Sequence, residues 1–279
     1  MATITEKLTE VLDNAIKSPD DTRNLGYFRD LLKEVSHLSE LMYAEAGKFN
    51  ILQEAANSGL AKYVQCLLDE FPNLNPNWAS EETPPPIFLA LNDSHVEVVR
   101  TFIEHKVAHP EPSSTNTVAF DCIDINEGRN IFHSLPFHKH DSQSIQTAEE
   151  LMEITNSKIR DELMNVINTR DHEGYTALDY AVYSSTESYV KILLQFGASL
   201  AHHGNEDVIT KISPEIIEHV LNTNCLQLED LEVNRRDSKI YKQLGGNLKI
   251  TANFDFLAPT DKQMGTESGK KYLLEIKQK

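Results

Sequence analysis

One short pattern recurs four times along this chain, and it dictates what the chain can fold into. The copies are Asn50-Ile51-Leu52-Gln53-Glu54-Ala55, Pro85-Pro86-Ile87-Phe88-Leu89-Ala90, Asn130-Ile131-Phe132-His133-Ser134-Leu135 and Thr176-Ala177-Leu178-Asp179-Tyr180-Ala181. Each opens on a capping or turn-type residue and continues with large apolar residues at helical spacing, so each predicts the start of a short apolar helix. Three copies are followed by a second apolar stretch: Tyr63–Leu68, Val98–Ile103 and Tyr189–Leu194. A helix pair of this size cannot bury its apolar side alone. Copies of it must therefore stack, and the product is a solenoid.

Local chemistry fixes where these helices begin and end. Asn50, Asn130 and Thr176 carry side chains able to accept from the first free amides of a helix. The fixed φ of Pro86 suits a first helical position, and Gly197 suits a left-handed helix end. Ala55, Ala90 and Ala181 are small where helices approach most closely. Taking the last position of each copy as a marker, the intervals are 35, 45 and 46 residues. The two longer intervals imply insertions, placed at Ala108–Glu127 and at His138–Ser144 with polar helical sequence after it.

The pattern resembles the ankyrin repeat, whose first helix opens on T-P-L-H-x-A and whose second carries V-V-x-x-L-L. Residues 168–178, Asn-Thr-Arg-Asp-His-Glu-Gly-Tyr-Thr-Ala-Leu, match the usual turn of that repeat most fully. The resemblance implies an all-α ankyrin-repeat solenoid of four to five helix pairs over 46–230. It also implies that His133 fills the histidine slot of its repeat and braces a turn. A helical N-terminal cap is expected over 1–45, from amphipathic helices at 3–17 and 24–42. A short mixed extension, partly extended or disordered, is expected over 231–279. Within it 248–257 alternates as a strand does, and 270–279 reads as the beginning of a helix. A proline-capped helix is expected at Ser213–Leu221.

The later half is also similar to the cytosolic N-terminal ankyrin domain of insect ankyrin-type transient receptor potential channels. The residues that carry this similarity are Ile212–Ile217, Asn224-Cys225, Asn234–Tyr241 and Phe254–Pro259. It implies a regulatory module of a cation channel, with channel subunits as partners and a homotetramer as the assembly. The alternative is a free adaptor that binds a basic protein. Both readings place the chain in the cytoplasm, the first at the inner face of the plasma membrane.

Charge narrows the partner. The formal net charge is −17. Residues 231–279 hold ten Lys or Arg against six Asp or Glu, whereas 1–230 hold 16 against 37. An acidic body repels a phosphate backbone, so nucleic acid is not an expected partner. No apolar run reaches the roughly 18 residues a spanning helix needs. Three widely spaced cysteines, Cys66, Cys122 and Cys225, predict free thiols rather than a disulfide framework.

The chemical motifs are weak. Gly265–Lys271 imitates a phosphate loop but has three residues between its glycines where four are needed, and lysine in place of the hydroxyl. Asp124–Leu135 begins like a calcium loop but ends on leucine where the bidentate Glu belongs. His133, His138, His140 and Asp141 would suit zinc only if a loop gathered them. Cys122 and Cys225 are candidates for a reactive thiol only if their pKa is shifted. No catalytic residue, cofactor site or metal site is expected. Candidate partner-binding residues sit on the turns between repeats: Asn77 and Trp78 on the first, His172, Glu173 and Tyr175 on the last. Trp78 has two readings, a partner anchor or packing beneath the Pro84-Pro85-Pro86 turn.

Overall fold

The structure, a computed structural model, describes residues 2–18, 21–42, 48–109, 117–124, 126–135, 141–154, 157–184, 186–199, 248–254 and 272–278. Ten α-helices appear among them. They are α1 Ile4–Lys17, α2 Thr22–Glu34, α3 Ile51–Asn57, α4 Ala61–Glu70, α5 Pro86–Asn92, α6 Val96–Ala108, α7 Ser142–Met152, α8 Ser157–Val166, α9 Ala177–Tyr183 and α10 Glu187–Phe196. Two single 3-10 turns lie at Leu38–Leu41 and Ile131–Ser134.

These elements form two parallel rows. The inner row runs α1, α3, α5, the turn at Ile131–Ser134, then α9. The outer row runs α2, α4, α6, α7 and α10. The rows are sealed by one continuous apolar core that includes Leu8, Phe28, Leu52, Val64, Phe88, Phe102, Phe132, Leu178 and Leu193. Each layer buries the side that its neighbour would otherwise expose, so the fold is an all-α solenoid of stacked pairs. Ala55, Ala90 and Ala181 are all fully buried, as close approach of the helices demands.

The helix starts follow from side-chain capping. Asn50 accepts from the Gln53 amide at 2.8 Å while the Gln53 side chain accepts from the Asn50 amide at 2.9 Å. Thr176 and Asp179 make the same reciprocal pair. Such boxes satisfy amides that have no partner within the helix. Pro86 takes the first position of α5. Gly197, at φ 113°, ends α10 in the left-handed region.

Three expectations need correction. The third motif copy yields a single 3-10 turn rather than a helix. Its last residue, Leu135, is extended at ψ 140°; it precedes Pro136, whose ring disfavours a helical conformation at the residue before it. The helix expected over 24–42 stops at Glu34, and a separate turn follows at Leu38–Leu41. The Glu40 carboxylate accepts from the Ser36 and His37 amides, at 2.7 and 3.4 Å, and starts that turn afresh. Finally, the last residues form a strand. β1 (Leu248–Phe254) pairs antiparallel with β2 (Tyr272–Gln278), setting Ile250 opposite Ile276 and Phe254 opposite Tyr272. A reading of 270–279 alone cannot see the partner strand that makes the extended form favourable.

The third layer also explains its longer interval. Polar sequence after residue 140 gives α7, which enters the outer row, and α8, which adds Ile159, Leu163 and Val166 to the common core. α8 is tied down by Lys106, buried on α6, whose ammonium lies 2.9 Å from the Glu162 carboxylate. The Arg160 guanidinium of α8 sits 4.9 Å from the Phe196 ring centre. The expected helix at 213–221, His138, His140, Cys225, the segment 234–241 and the loop 265–271 all lie outside the described residues.

Candidate protein-binding surface

The loops that lead into each inner helix project as fingers: residues 71–85 before α5, 117–130 before the Ile131–Ser134 turn, and 167–176 before α9. Each is a turn held by its own polar side chains. In the first, Asn75 Oδ1 accepts from the Asn77 amide at 2.9 Å, and the Ser80 amide donates to the Thr83 carbonyl at 2.9 Å. In the second, Asp124 Oδ1 accepts from the Asn126 amide at 3.0 Å, and the Asp124 amide donates to the Arg129 carbonyl at 2.7 Å. In the third, Asp171 Oδ1 accepts from the Glu173 and Tyr175 amides at 3.0 and 2.9 Å. Gly174 makes that bend possible at φ 88°.

The fingers are joined to one another. Asn77 spans the first gap with both ends of its amide: Nδ2 donates to the Thr117 carbonyl and Oδ1 accepts from the Ala119 amide, each at 2.7 Å. The Asn126 side chain donates to the Glu81 carbonyl. His172 closes the second gap. Its amide donates to the Glu127 carbonyl at 2.8 Å, and its Nδ1 lies 2.8 Å from the Asn126 carbonyl. Gly128, at φ 68°, is where the imidazole of His172 packs, leaving no room for a side chain. The result is a ladder of three tips along one edge.

That edge is predominantly acidic; among the described residues its exposed cation is Arg170, whose guanidinium donates to the Gly174 carbonyl at 2.7 Å within the last finger. Glu81, Glu82, Asp121, Glu127 and Glu173 are exposed along the edge. Arg129 is largely consumed internally. One of its nitrogens lies 2.5 Å from Glu127, and Nε lies 3.9 Å from the buried Asp171. Its guanidinium sits 5.4 Å from the Tyr180 ring centre. Burial works against its charge, yet Tyr180, Glu127 and Asp171 together hold its pKa above the ordinary value. The Tyr180 hydroxyl donates to Asp171 at 2.6 Å, and burial followed by that bond pushes it up to about 12.

His133 links the third layer to the last finger, as the histidine slot implies. Its Nε2 lies 3.0 Å from the Tyr175 carbonyl, which can only accept, so Nε2 carries the proton. Nδ1 lies 3.2 Å from the Asn130 amide and 2.8 Å from Asn130 Oδ1. Burial lowers its pKa and favours this neutral form.

The predicted residues are thus placed as follows. Asn77 and His172 spend their side chains on the ladder. Glu173 is exposed, with one long contact of 3.4 Å to the Tyr180 hydroxyl. Tyr175 is partly exposed and meets Tyr180 and Tyr183. Trp78 is partly buried, and its carbonyl lies 3.4 Å from Gln53 Nε2, which also donates to Pro84. Sequence reasoning passed over Arg129, Asn126, Tyr180 and Tyr183. The spacing of Tyr180 and Tyr183 on one side of α9, beside Tyr175, was the signal available for two of them.

No trio of metal-binding side chains gathers among the described residues. Burial, with Asp121 adding, pushes the Cys122 thiol up to about 12, the opposite of a reactive thiolate. Cys66 is buried and receives the Arg29 Nε–H at 3.3 Å.

Comparison with solved structures agrees with this geometry. The ankyrin repeat domain of Bcl-3, a member of the IkappaB protein family, superposes with a TM-score of 0.53 over 81% of this chain and 86% of that one, at 14% identity. The fold is the ankyrin-repeat fold. The structure of the predatory endopeptidase Bd0816 of Bdellovibrio bacteriovorus in complex with immunity protein Bd3460 also matches, with a TM-score of 0.50 at 16% identity over 76% of this chain and 97% of that one. No family model and no curated protein matches the chain. Within this ankyrin fold, the finger ladder and the inner row form one continuous side, distinct from the outer row.

Proposed function

We propose that the chain is a non-catalytic protein-interaction module that holds a basic segment of a protein partner along its finger edge. The observation that carries this is the ladder itself. Asn77, Asn126 and His172 fix three tips relative to one another, so Glu81, Glu82 and Glu173 are presented at preorganised positions. Preorganisation reduces the ordering entropy lost on association, and an edge with an excess of carboxylates steers a basic partner. The solved ankyrin structures that share the fold support a contact role.

The test is titration of the chain with a basic peptide at low and at physiological salt. Affinity falls as salt rises, because exposed charges are screened, and falls again when Glu81, Glu82 and Glu173 are all changed to Gln. Binding indifferent both to salt and to those changes overturns the proposal.

A regulatory domain of a transient receptor potential channel is one setting in which such a module would act, with channel subunits supplying the basic segment. The similarity in 212–259 supports that setting. None of the described helices is long and apolar enough to cross a membrane. Co-purification with a channel subunit, lost with the triple Gln variant, tests this narrower reading; recovery with soluble basic proteins alone contradicts it.

A further inference from the structure

The finger edge has a basic counterpart within the same chain. Residues 231–279 carry ten Lys or Arg against six Asp or Glu, whereas 1–230 carry 16 against 37. The route from the body to that basic stretch starts at a finger. Just past α10, the Ser199 amide donates to Asn168 Oδ1 at 2.8 Å, and Asn168 Nδ2 donates to the Gly197 carbonyl at 3.3 Å. Asn168 belongs to the last finger, so the chain leaves the stack fastened to the loop that carries Glu173.

The described part of the basic stretch is the hairpin of β1 and β2. Its register sets Lys249 opposite Lys277. Like charges directly opposite each other on a sheet are unfavourable. The two strands hold one carboxylate, Glu275, against these two lysines, so carboxylates from outside the hairpin would offset the remaining repulsion. Reach sets no limit. The 48 residues from 200 to 247 can span up to roughly 160 Å, whereas three fingers on helices about 8–10 Å apart cover about 20–30 Å.

We infer that the basic extension 231–279 docks on the finger edge of its own chain, pairing its cations with Glu81, Glu82 and Glu173. Resting on the acidic-edge reading above, this contact adds regulation to it: the edge carries a built-in competitor of the basic partner. Tethering makes the contact intramolecular, so it forms without a second molecule. Each exposed ion pair contributes little, so the edge opens and closes, and a partner displaces the extension. Its apparent affinity is reduced by the fraction of the edge that stands free.

Two measurements on the full chain test this. In the first, a water-soluble carbodiimide joins touching lysine and glutamate side chains at low salt, and the monomer is mapped by mass spectrometry. A link between a lysine of 231–279 and Glu81, Glu82 or Glu173 is expected, and it is lost at high salt. In the second, Arg235, Arg236, Lys249 and Lys277 are all changed to Gln, which brings the extension to zero net charge. A lysine peptide then binds about 2–5-fold tighter, the yield of a few exposed ion pairs. That gain vanishes when Glu81, Glu82 and Glu173 are also Gln. Three results overturn the competitor: no such link in the monomer, equal peptide affinity with and without the four cations, or a gain that persists without the three carboxylates and so reflects net charge alone. If the peptide binds with the expected salt dependence but no link forms, the competitor alone falls and the acidic edge stands. If the link forms and neither chain binds the peptide, the edge serves its own extension and the reading of a foreign basic partner falls instead.

Discussion

The third and fourth layers do the same job with different means. In the fourth, α9 and α10 form a regular pair, started by the Thr176–Asp179 box and ended by Gly197. In the third, the inner helix shrinks to the Ile131–Ser134 turn, and a helix absent from other layers, α8, adds Ile159, Leu163 and Val166 to the core. Yet both layers support a finger and both pass the core onward, as Phe132 against Phe196 shows with ring centres 5.3 Å apart. The difference teaches that a layer of this stack is defined by its capping residue and its core contacts rather than by helix length. Asn130 makes this concrete. It is fully buried; Oδ1 accepts from the Phe132 and His133 amides, and Nδ2 donates to the Val166 carbonyl and the Thr169 hydroxyl. One side chain thus starts the turn and fastens the end of α8.

If that is right, Asn130→Ala has the largest effect of those considered. It removes a cap and strands buried partners, destabilising the protein by about 2–4 kcal/mol in chemical denaturation. Ala181→Leu comes next. Overpacking the fully buried seam of the fourth layer costs about 1–3 kcal/mol, read as a lowered melting temperature. Thr176→Ala is milder, about 1 kcal/mol, because Asp179 keeps its bond to the Thr176 amide. Equal losses for Asn130→Ala and Thr176→Ala break the contrast between the layers.

The smallest expected effect is on pH. His133 is held neutral by burial, so its folded pKa lies below its ordinary value near 6.5. As pH falls through about 6.5 the unfolded chain takes up a proton before the folded chain does, and stability declines toward the lowered folded pKa. Melts between about pH 7 and pH 5 therefore slope downward. His133→Gln makes the slope shallower; some slope remains, since burial lowers His105 in the same direction. An unchanged slope in that variant contradicts the role assigned to His133.

The parts of this fold that were legible in the sequence are those with local causes. Asn50, Asn130 and Thr176 act on amides two or three residues away, and Pro86 and Gly197 act on their own backbone. The collapse of the third inner helix was written in Pro136, although the apolar pattern before it suggested otherwise. The finger ladder was not legible, because each of its bonds joins residues about forty apart: Asn77 to Thr117, Asn126 to Glu81, His172 to Asn126. Asn77 and His172 were picked out as polar residues on turns, but no spacing rule says that such residues reach the next turn rather than a partner. Lys106 likewise follows the pattern of an exposed helix position until α8 covers it with Glu162.

Hydrogen exchange on the chain with and without a basic peptide tests the central claim most directly, since it reads each finger and each helix separately. The account predicts slowed exchange at the amides of 75–83, 119–130 and 171–175 and at the start of α9, with α4, α6, α7 and α10 unchanged. Protection confined to that outer row, with the finger amides exchanging as before, would contradict it.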